Sequence, residues 1–546
     1  MEQEATKMNR WGLILFAAAV AFPFFGSFGL LEPDEGRFAQ VGREMMTTGD
    51  FLVPRLNGIE QFYKPPLVYW INAVGYRILG ISEWTARLPS ALAFFGTIWL
   101  TGWMGWRLGG RRTGWLAAFM LASMLEPYAL GRQITLDTTL TFWVTAAMTC
   151  LVRVATGDQA KKSGFLFFLC MGLGFLAKGP MAWVVPMSAA LAWTVALRRH
   201  GQRLGLPWAK GLFLMAGVSI SWFLAVCWKY PELWKYFLGY ELVERFASTT
   251  HGRSKPFWFF LPILAVGTVP WTGFLPGLAM ATWRKIRNRS LSPAQWALGA
   301  AVVVPFIVVS CSGSKLLTYI LPIYPSLALA LAFWLEKGKT GIWGKVGWGA
   351  AWGILLVFSP LLWAVQFLWS EATGVSPSIP FLIGVMGVVI GAIVVAWKLR
   401  RDVLVQAGVL AAASILIWHG ASLEMERIND LLGRQASVRP LAQLVDKHQP
   451  ERLFIYRARA AGLLFSTDRK VWMNRADADV VVEPSVEAKG RFFEKPEDLT
   501  RGLAQKQRVE GITLRHVFRE EFDPARWEIV GRSGEFLLIR AYGTGF

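Results

Sequence analysis

The sequence predicts a polytopic α-helical membrane protein that ends in a small α/β domain outside the bilayer. Three observations point there. Of 546 residues, 54% are hydrophobic and only 17% are charged, with 28 Trp, which is too little charge for a soluble domain of this length. Apolar stretches near the ~20 residues needed to cross a bilayer recur along most of the chain. Lys and Arg gather in alternate loops, so the net charge of +20 reads as a topology signal and not as a nucleic-acid footprint.

Hydropathy windows place about thirteen spans at 11–31, 84–107, 114–131, 134–154, 164–178, 181–197, 208–230, 256–282, 293–312, 315–335, 342–368, 379–398 and 402–420. The fifth and sixth are short for a full crossing. One set of loops is basic: Arg107, Arg111 and Arg112; Arg198, Arg199 and Arg203; Arg284, Lys285, Arg287 and Arg289; Lys398, Arg400 and Arg401. The alternate loops carry little more than Arg132, Lys178 and Lys315. The positive-inside rule puts the basic set and the N-terminus in the cytoplasm, and an odd span count puts the C-terminus outside. The first apolar run is long and lacks a small-residue cleavage site, so it reads as a retained anchor. Cys150, Cys170, Cys227 and Cys311 all fall in or at spans and read as small apolar residues.

The domain division follows: residues 1–420 form the membrane domain and 421–546 an external α/β domain. External segments 32–83 and 231–255 face the same side as that domain. In the first, Pro33, Asp34 and Glu35 suit a helix start, and Phe38, Val41 and Met45 give an apolar face, with Gly49 as terminator. This reads as an amphipathic helix lying along the membrane surface. QFYKPPLVYW starts a second short helix at Pro65 and Pro66, and PELWKYFLGYELVERF at 231–246 reads as a third. In the tail, RLFIYRA, GLLFST, DVVVEP, GITLRHVF and GEFLLIRAY read as strands, and 433–447 and 495–507 as helices. No glycine-rich phosphate loop or metal-ligand cluster is present there.

The topology brings polar residues to one face: Asp34, Glu35, Arg37, Tyr63 and Lys64; Asp137; Lys178; Arg245, His251, Arg253 and Lys255; Lys315, Tyr319 and Tyr324. Ionisable residues at membrane depth are expensive and so are functional candidates. Each also has a plainer reading. Asp34 and Glu35 favour a helix start, Arg37 can pair with Asp34 along the helix, basic span ends snorkel, and tyrosines sit in interface belts. Asp137 resists such a reading, since an acid that close to a span needs a partner or a polar cavity. The combination of carboxylates and cations on one face suits a reaction at an anionic lipid headgroup. Sugar transfer from a lipid phosphate builds charge on the departing phosphate, which fixed Arg and Lys groups stabilise. A nucleotide-sugar enzyme would need a soluble nucleotide-binding fold, and none is visible. A transporter or flippase predicts internal repeats and broken helices. No repeat is evident, and no cofactor is required; paired His or Cys spacing for a divalent metal is lacking.

PDEGR after the first span, YKPP, ITLDTTLTFW, LAKGP, ERF followed by PFWFFLP, and SKLLTYILPIYPSLALAL occur in that order. Over residues 11–335 this resembles the bacterial aminoarabinose transferases of lipid A, relatives of the protein O-mannosyltransferases. The resemblance implies a GT-C fold with its active site at the periplasmic face of the inner membrane. It implies an undecaprenyl phosphate-linked 4-amino-4-deoxy-L-arabinose donor, a lipid A phosphate acceptor, polymyxin resistance as the outcome and a monomer that binds no nucleic acid. By position, Asp34 and Asp137 are then the catalytic acids. Lys64, Tyr324, Arg37, Arg245 and Lys315 bind the donor phosphate, with Glu35, Tyr63 and Arg253 as further candidates. Phe38 stands where relatives commonly have tyrosine, and ITLDTT lacks the proline that often follows the aspartate. A same-donor transferase acting on protein hydroxyls or another glycan is the nearest rival.

Overall fold

The computed structural model describes residues 10–199, 201–239, 255–337, 340–373, 378–399, 402–427, 429–474, 481–500 and 507–542. Among them, eight helices are long and apolar enough to cross a membrane: Leu136–Ala155, Ala160–Ala177, Met181–Arg198, Trp208–Lys229, Pro293–Cys311, Leu317–Glu336, Ile379–Lys398 and Val403–Glu424. The chain is an integral membrane protein. Helices also stand at the remaining expected spans, namely Arg10–Ala21, Glu83–Gly109, Arg111–Ser123 and Gly341–Thr373. Arg10–Ala21 is shorter than the 11–31 run suggests; at 1.5 Å per residue it reaches only about 18 Å.

Two expected spans are broken. The run 256–282 is not one helix but Phe257–Gly267 followed by Trp271–Arg287, bent by 114°. Pro270 has no amide proton to donate and cannot continue the ladder across that bend. The run 114–131 divides at Met124, whose backbone is extended, into Arg111–Ser123 and Leu125–Leu130. Hydropathy could not reveal either break, because the residues remain apolar across both. The two breaks meet each other: Leu125 N donates to Val269 O at 3.0 Å. Trp271 Nε1 donates to Ser123 Oγ at 2.9 Å, and Trp418 Nε1 to Ser123 O at 3.0 Å. Irregular backbone inside a helical bundle persists only where protein satisfies it in this way.

The helix Asp34–Thr48 begins after Pro33 and ends at Gly49, which adopts φ 70 and donates its N–H to Met45 O. Besides the expected Phe38, Val41 and Met45, it buries Gly36, Ala39, Gln40, Gly42 and Arg43. It is therefore enclosed, and not a ribbon with one bare polar face. One side packs on the helix Leu67–Leu79, with Gly42 against Asn72. The other side meets the C-terminal domain, where a Cβ on Gly36 would lie 2.3 Å from the Gly462 amide nitrogen.

A hairpin of β1 (Arg55–Leu56) and β2 (Ile59–Glu60) follows, turning at Asn57 and Gly58 with positive φ at both, as an Asn-Gly turn requires. Glu44 accepts from Asn57 N at 2.6 Å and Gly58 N at 2.9 Å. Asn57 then bonds both the carbonyl and the amide of Val471.

The C-terminal domain carries one six-stranded sheet of β3 (Arg452–Ile455), β4 (Trp472–Asn474), β5 (Phe492–Phe493), β6 (Arg508–Leu514), β7 (Glu528–Ser533) and β8 (Phe536–Tyr542), in the order β5-β4-β3-β6-β8-β7. The first four run parallel, and β8 and β7 are antiparallel additions. Phe454, Val509, Ile512 and Leu538 form its core with Val445 of the helix Arg439–His448. GLLFST is not a strand but the helix Gly462–Thr467, with Leu463, Leu464 and Phe465 all buried. A short run buried throughout has no period to tell strand from helix. GITLRHVF is half strand, since β6 gives way to a helix at Arg515. Residues 481–484 of DVVVEP form no strand, and its first two residues lie outside the described set.

Candidate active site

A cavity of about 1530 Å³ opens where the first external segment, the broken helices and the C-terminal domain come together. Asp34, Glu35, Arg37, Tyr63, Lys64, Asp137, Lys178 and Tyr319 line it. Glu32, Glu126, Gln435 and Arg459, which the sequence reading did not select, line it too.

Each side chain is placed by its element. Asp34 opens the helix Asp34–Thr48 and remains 62% exposed, paired with Arg37 at 2.5 Å one turn on. The Arg37 guanidinium lies over the Tyr63 ring, 4.8 Å from its centroid. Tyr63 and Lys64 are delivered by the segment that Pro65 and Pro66 turn into the next helix. Asp137 sits in the first turn of Leu136–Ala155, whose N-cap Thr135 accepts the Asp137 amide at 2.9 Å. The Asp137 carboxylate is ion-paired with Lys178, and Lys178 lies over the Tyr319 ring at 4.8 Å. Asp137 thus has the partner its depth demands.

Glu35 has a different part from Asp34. Its carboxylate accepts from Arg87 Nε at 2.9 Å and Nη2 at 2.7 Å, from Leu31 N at 2.9 Å and from Ile134 N at 2.7 Å. Arg87 is fully buried and also donates to the carbonyls of Phe25, Phe28 and Gly29. The acceptor positions of Glu35 are taken by protein, so this pair anchors the helix start and leaves Asp34 as the exposed carboxylate. Glu32 is also buried; it accepts from Gly462 N at 2.6 Å. Burial, reinforced by the nearby Glu35 and Asp34 carboxylates, pushes its carboxyl up to about 8.

Tyr324 and Lys315 are not among the lining residues. Tyr324 is fully buried behind Glu126, donating to Glu126 Oε2 at 2.5 Å. Gly267 lets the two approach, since a Cβ there would meet the Tyr324 hydroxyl and Glu126. Lys315 is buried and donates from Nζ to Ser312 O at 2.6 Å. Arg245, His251 and Arg253 lie outside the described residues. Two missed groups carried a usable signal: Glu126 and Arg87 are ionisable residues inside apolar runs. Nothing local marked Glu32 or Arg459.

The arrangement can hold an anion against several cations beside one accessible carboxylate. Residues 9–237 match the family model of dolichyl-phosphate-mannose-protein mannosyltransferase. The chain superposes on the crystal structure of ArnT from Cupriavidus metallidurans bound to undecaprenyl phosphate with a TM-score of 0.76 over 97% of each chain, and on the apo state with 0.77. The fold is that of ArnT. Sequence identity to both ArnT structures is 24%, so that likeness is one of fold. The undecaprenyl phosphate-alpha-4-amino-4-deoxy-L-arabinose arabinosyl transferase of Edwardsiella ictaluri is 34% identical over 370 residues, 64% of each chain. Its counterpart from Sodalis glossinidius is 36% identical over 58% of this chain and 57% of its own length. These matches span less than two thirds of the relatives' length. They agree with the resemblance read from PDEGR, YKPP and SKLLTYILP.

Proposed function

We propose that this chain is a glycosyltransferase of the inner membrane that moves 4-amino-4-deoxy-L-arabinose from undecaprenyl phosphate to a lipid A phosphate. The observation that carries the reading is the exposed Asp34 carboxylate beside Arg37 and Lys64 in one large cavity of an ArnT-like fold. The relatives' names supply the donor.

In this reading an acceptor phosphate oxygen attacks the anomeric carbon of the sugar. The bond from that carbon to the undecaprenyl phosphate oxygen breaks, and Lys64 and Arg37 meet the charge that develops on the departing phosphate. The acceptor is already ionised at neutral pH, so Asp34 acts by orienting the sugar through its ammonium group. Asp137, held by Lys178, lines the same cavity, and Tyr324 sets the position of Glu126. The side-chain cations supply the neutralising charge, and the reading calls for no added metal. In the same reading, about thirteen crossings with the basic loops cytoplasmic would leave the cavity and the C-terminal domain on the periplasmic side. The product bears less negative surface charge, which would confer resistance to polymyxin.

Mass spectrometry of lipid A from a deletion strain, with and without this gene, tests the proposal. An aminoarabinose adduct only in the complemented strain supports it; identical spectra refute it. A lipid transporter is a second reading, favoured by the two broken helices. Translocation of undecaprenyl phosphate-sugar by the purified chain with no transfer to any acceptor would establish that reading instead.

A further inference from the structure

The C-terminal domain has an unassigned feature at its sheet. The chain passes from β3 to β4 and β5 on one side, then returns to place β6 on the other side of β3. Both β4 and β6 pair parallel to β3, with Ile455 opposite Ile512 near their carboxyl ends. The strand order therefore reverses between β3 and β6. In open α/β sheets, ligands bind beyond the carboxyl ends of the strands at such a reversal. The connection leaving the carboxyl end of β3 is Tyr456–Ala461, and its Arg459 lines the cavity.

Arg459 differs from the other cations there. Arg37 is paired with Asp34 and Lys178 with Asp137. The neighbouring Arg457 is paired with Glu521 at 2.5 Å. Arg459 is exposed and has no hydrogen-bond or ion-pair partner among the described residues. Gln435, also exposed, adds an amide to the same lining. The domain that carries both is docked on the first external segment through Glu32 to Gly462, and through Arg43 to the Phe465 carbonyl at 2.6 Å and to Asp468. That docking is what brings Arg459 to the cavity.

The proposed reaction brings two phosphates to one sugar, and Lys64 with Arg37 accounts for one of them. We infer that Arg459, with Gln435, binds the phosphate of the acceptor, so that the C-terminal domain forms the acceptor half of the active site. This rests on the transferase reading above. A guanidinium matches a phosphate with two parallel N–H···O bonds, whereas an ammonium offers only a point charge.

The test uses the full-length chain in proteoliposomes, with undecaprenyl phosphate-aminoarabinose as donor and bisphosphorylated lipid A as acceptor. Arg459→Ala should raise the KM for lipid A about 10-fold, the cost of one charge-assisted hydrogen-bonding group. The KM for donor, kcat at saturating acceptor and the melting temperature should be unchanged, since Arg459 supports no other described side chain. Arg459→Lys should recover part of the loss and Arg459→Glu should deepen it. An unchanged acceptor KM in Arg459→Ala, or a donor KM raised as much as the acceptor KM, overturns the assignment while the transferase reading stands. No transfer by the wild-type chain overturns both.

Discussion

Replacing Arg87 with methionine tests the claim that a buried ion pair fixes the start of the helix Asp34–Thr48. Arg87 is fully buried and Glu35 nearly so, with two hydrogen bonds between them at 2.7 and 2.9 Å. Methionine fills much of the volume but leaves the Glu35 carboxylate with only the Leu31 and Ile134 amides, and orphans the carbonyls of Phe25, Phe28 and Gly29. Breaking a buried pair by removing one partner costs about 3–5 kcal/mol. Glu35→Gln keeps one carbonyl oxygen where the carboxylate offered two, so it can serve only one of the two amides, and it leaves Arg87 charged and unpaired; it should cost about 3–5 kcal/mol as well. Because the two residues share one network, the double variant should cost less than the sum of the singles by more than ~1 kcal/mol. Thermal unfolding of the purified chain in detergent reads all three. Transfer activity should fall with stability in Arg87→Met, because Asp34 directly precedes Glu35 and moves with it. A loss within about 0.5 kcal/mol for Arg87→Met, the range of an ordinary surface change, would refute the reasoning, as would strict additivity.

Three further predictions follow from the same geometry. Asp34→Asn keeps the side chain's shape at a 62%-exposed position, so the fold should be unaffected while transfer falls about 100-fold, the scale of a lost electrostatic contact in a reacting site; full activity with unchanged donor affinity would remove Asp34 from the mechanism. Glu32, with its carboxyl raised to about 8 from 4.5, is protonated in the folded chain at pH values where the unfolded chain has released the proton; its contribution is complete below about 4.5 and declines as pH rises through about 8. Protection of the Gly462–Thr467 helix against hydrogen exchange, taken relative to the intrinsic base-catalysed rate at each pH, should therefore fall between pH 7 and 9, and Glu32→Gln should flatten that dependence; an unaltered profile would count against it. Gly36→Val drives a side chain into the Gly462 backbone and should loosen the C-terminal domain by about 1–3 kcal/mol, seen as faster limited proteolysis within 439–542, whereas Gly217→Ala, which meets nothing within 4 Å, should leave proteolysis unchanged.

The positions of the helices were legible because bilayer thickness imposes a length on every apolar run, and the basic loops add an independent test. The Asp34–Arg37 pair was legible for a similar reason, since helix geometry alone brings residues three apart together. The breaks at Met124 and Pro270 were hidden, because breaking a helix inside protein changes backbone partners without changing hydropathy. Glu35 could not be told from Asp34 by sequence; what separates them is Arg87, 52 residues away. GLLFST failed as a strand because its four residues Gly462 to Phe465 are all buried, so no alternation marks a period. Arg459 was invisible for the opposite reason: an arginine in an exposed loop has no local signature, and only the docking of the tail onto the first external segment brings it to the cavity. The Asn57-Gly58 turn, which helps to make that docking, did carry a local signal.

The central claim is that one cavity, with Asp34 as its exposed carboxylate, transfers aminoarabinose between two lipid phosphates. Purified chain in proteoliposomes, supplied with undecaprenyl phosphate-aminoarabinose and lipid A, tests it most directly. Mass spectrometry should show lipid A bearing aminoarabinose and undecaprenyl phosphate released in equal amount, with both reduced about 100-fold in Asp34→Asn. Unmodified lipid A from the wild-type chain, or equal transfer by Asp34→Asn, would contradict the account.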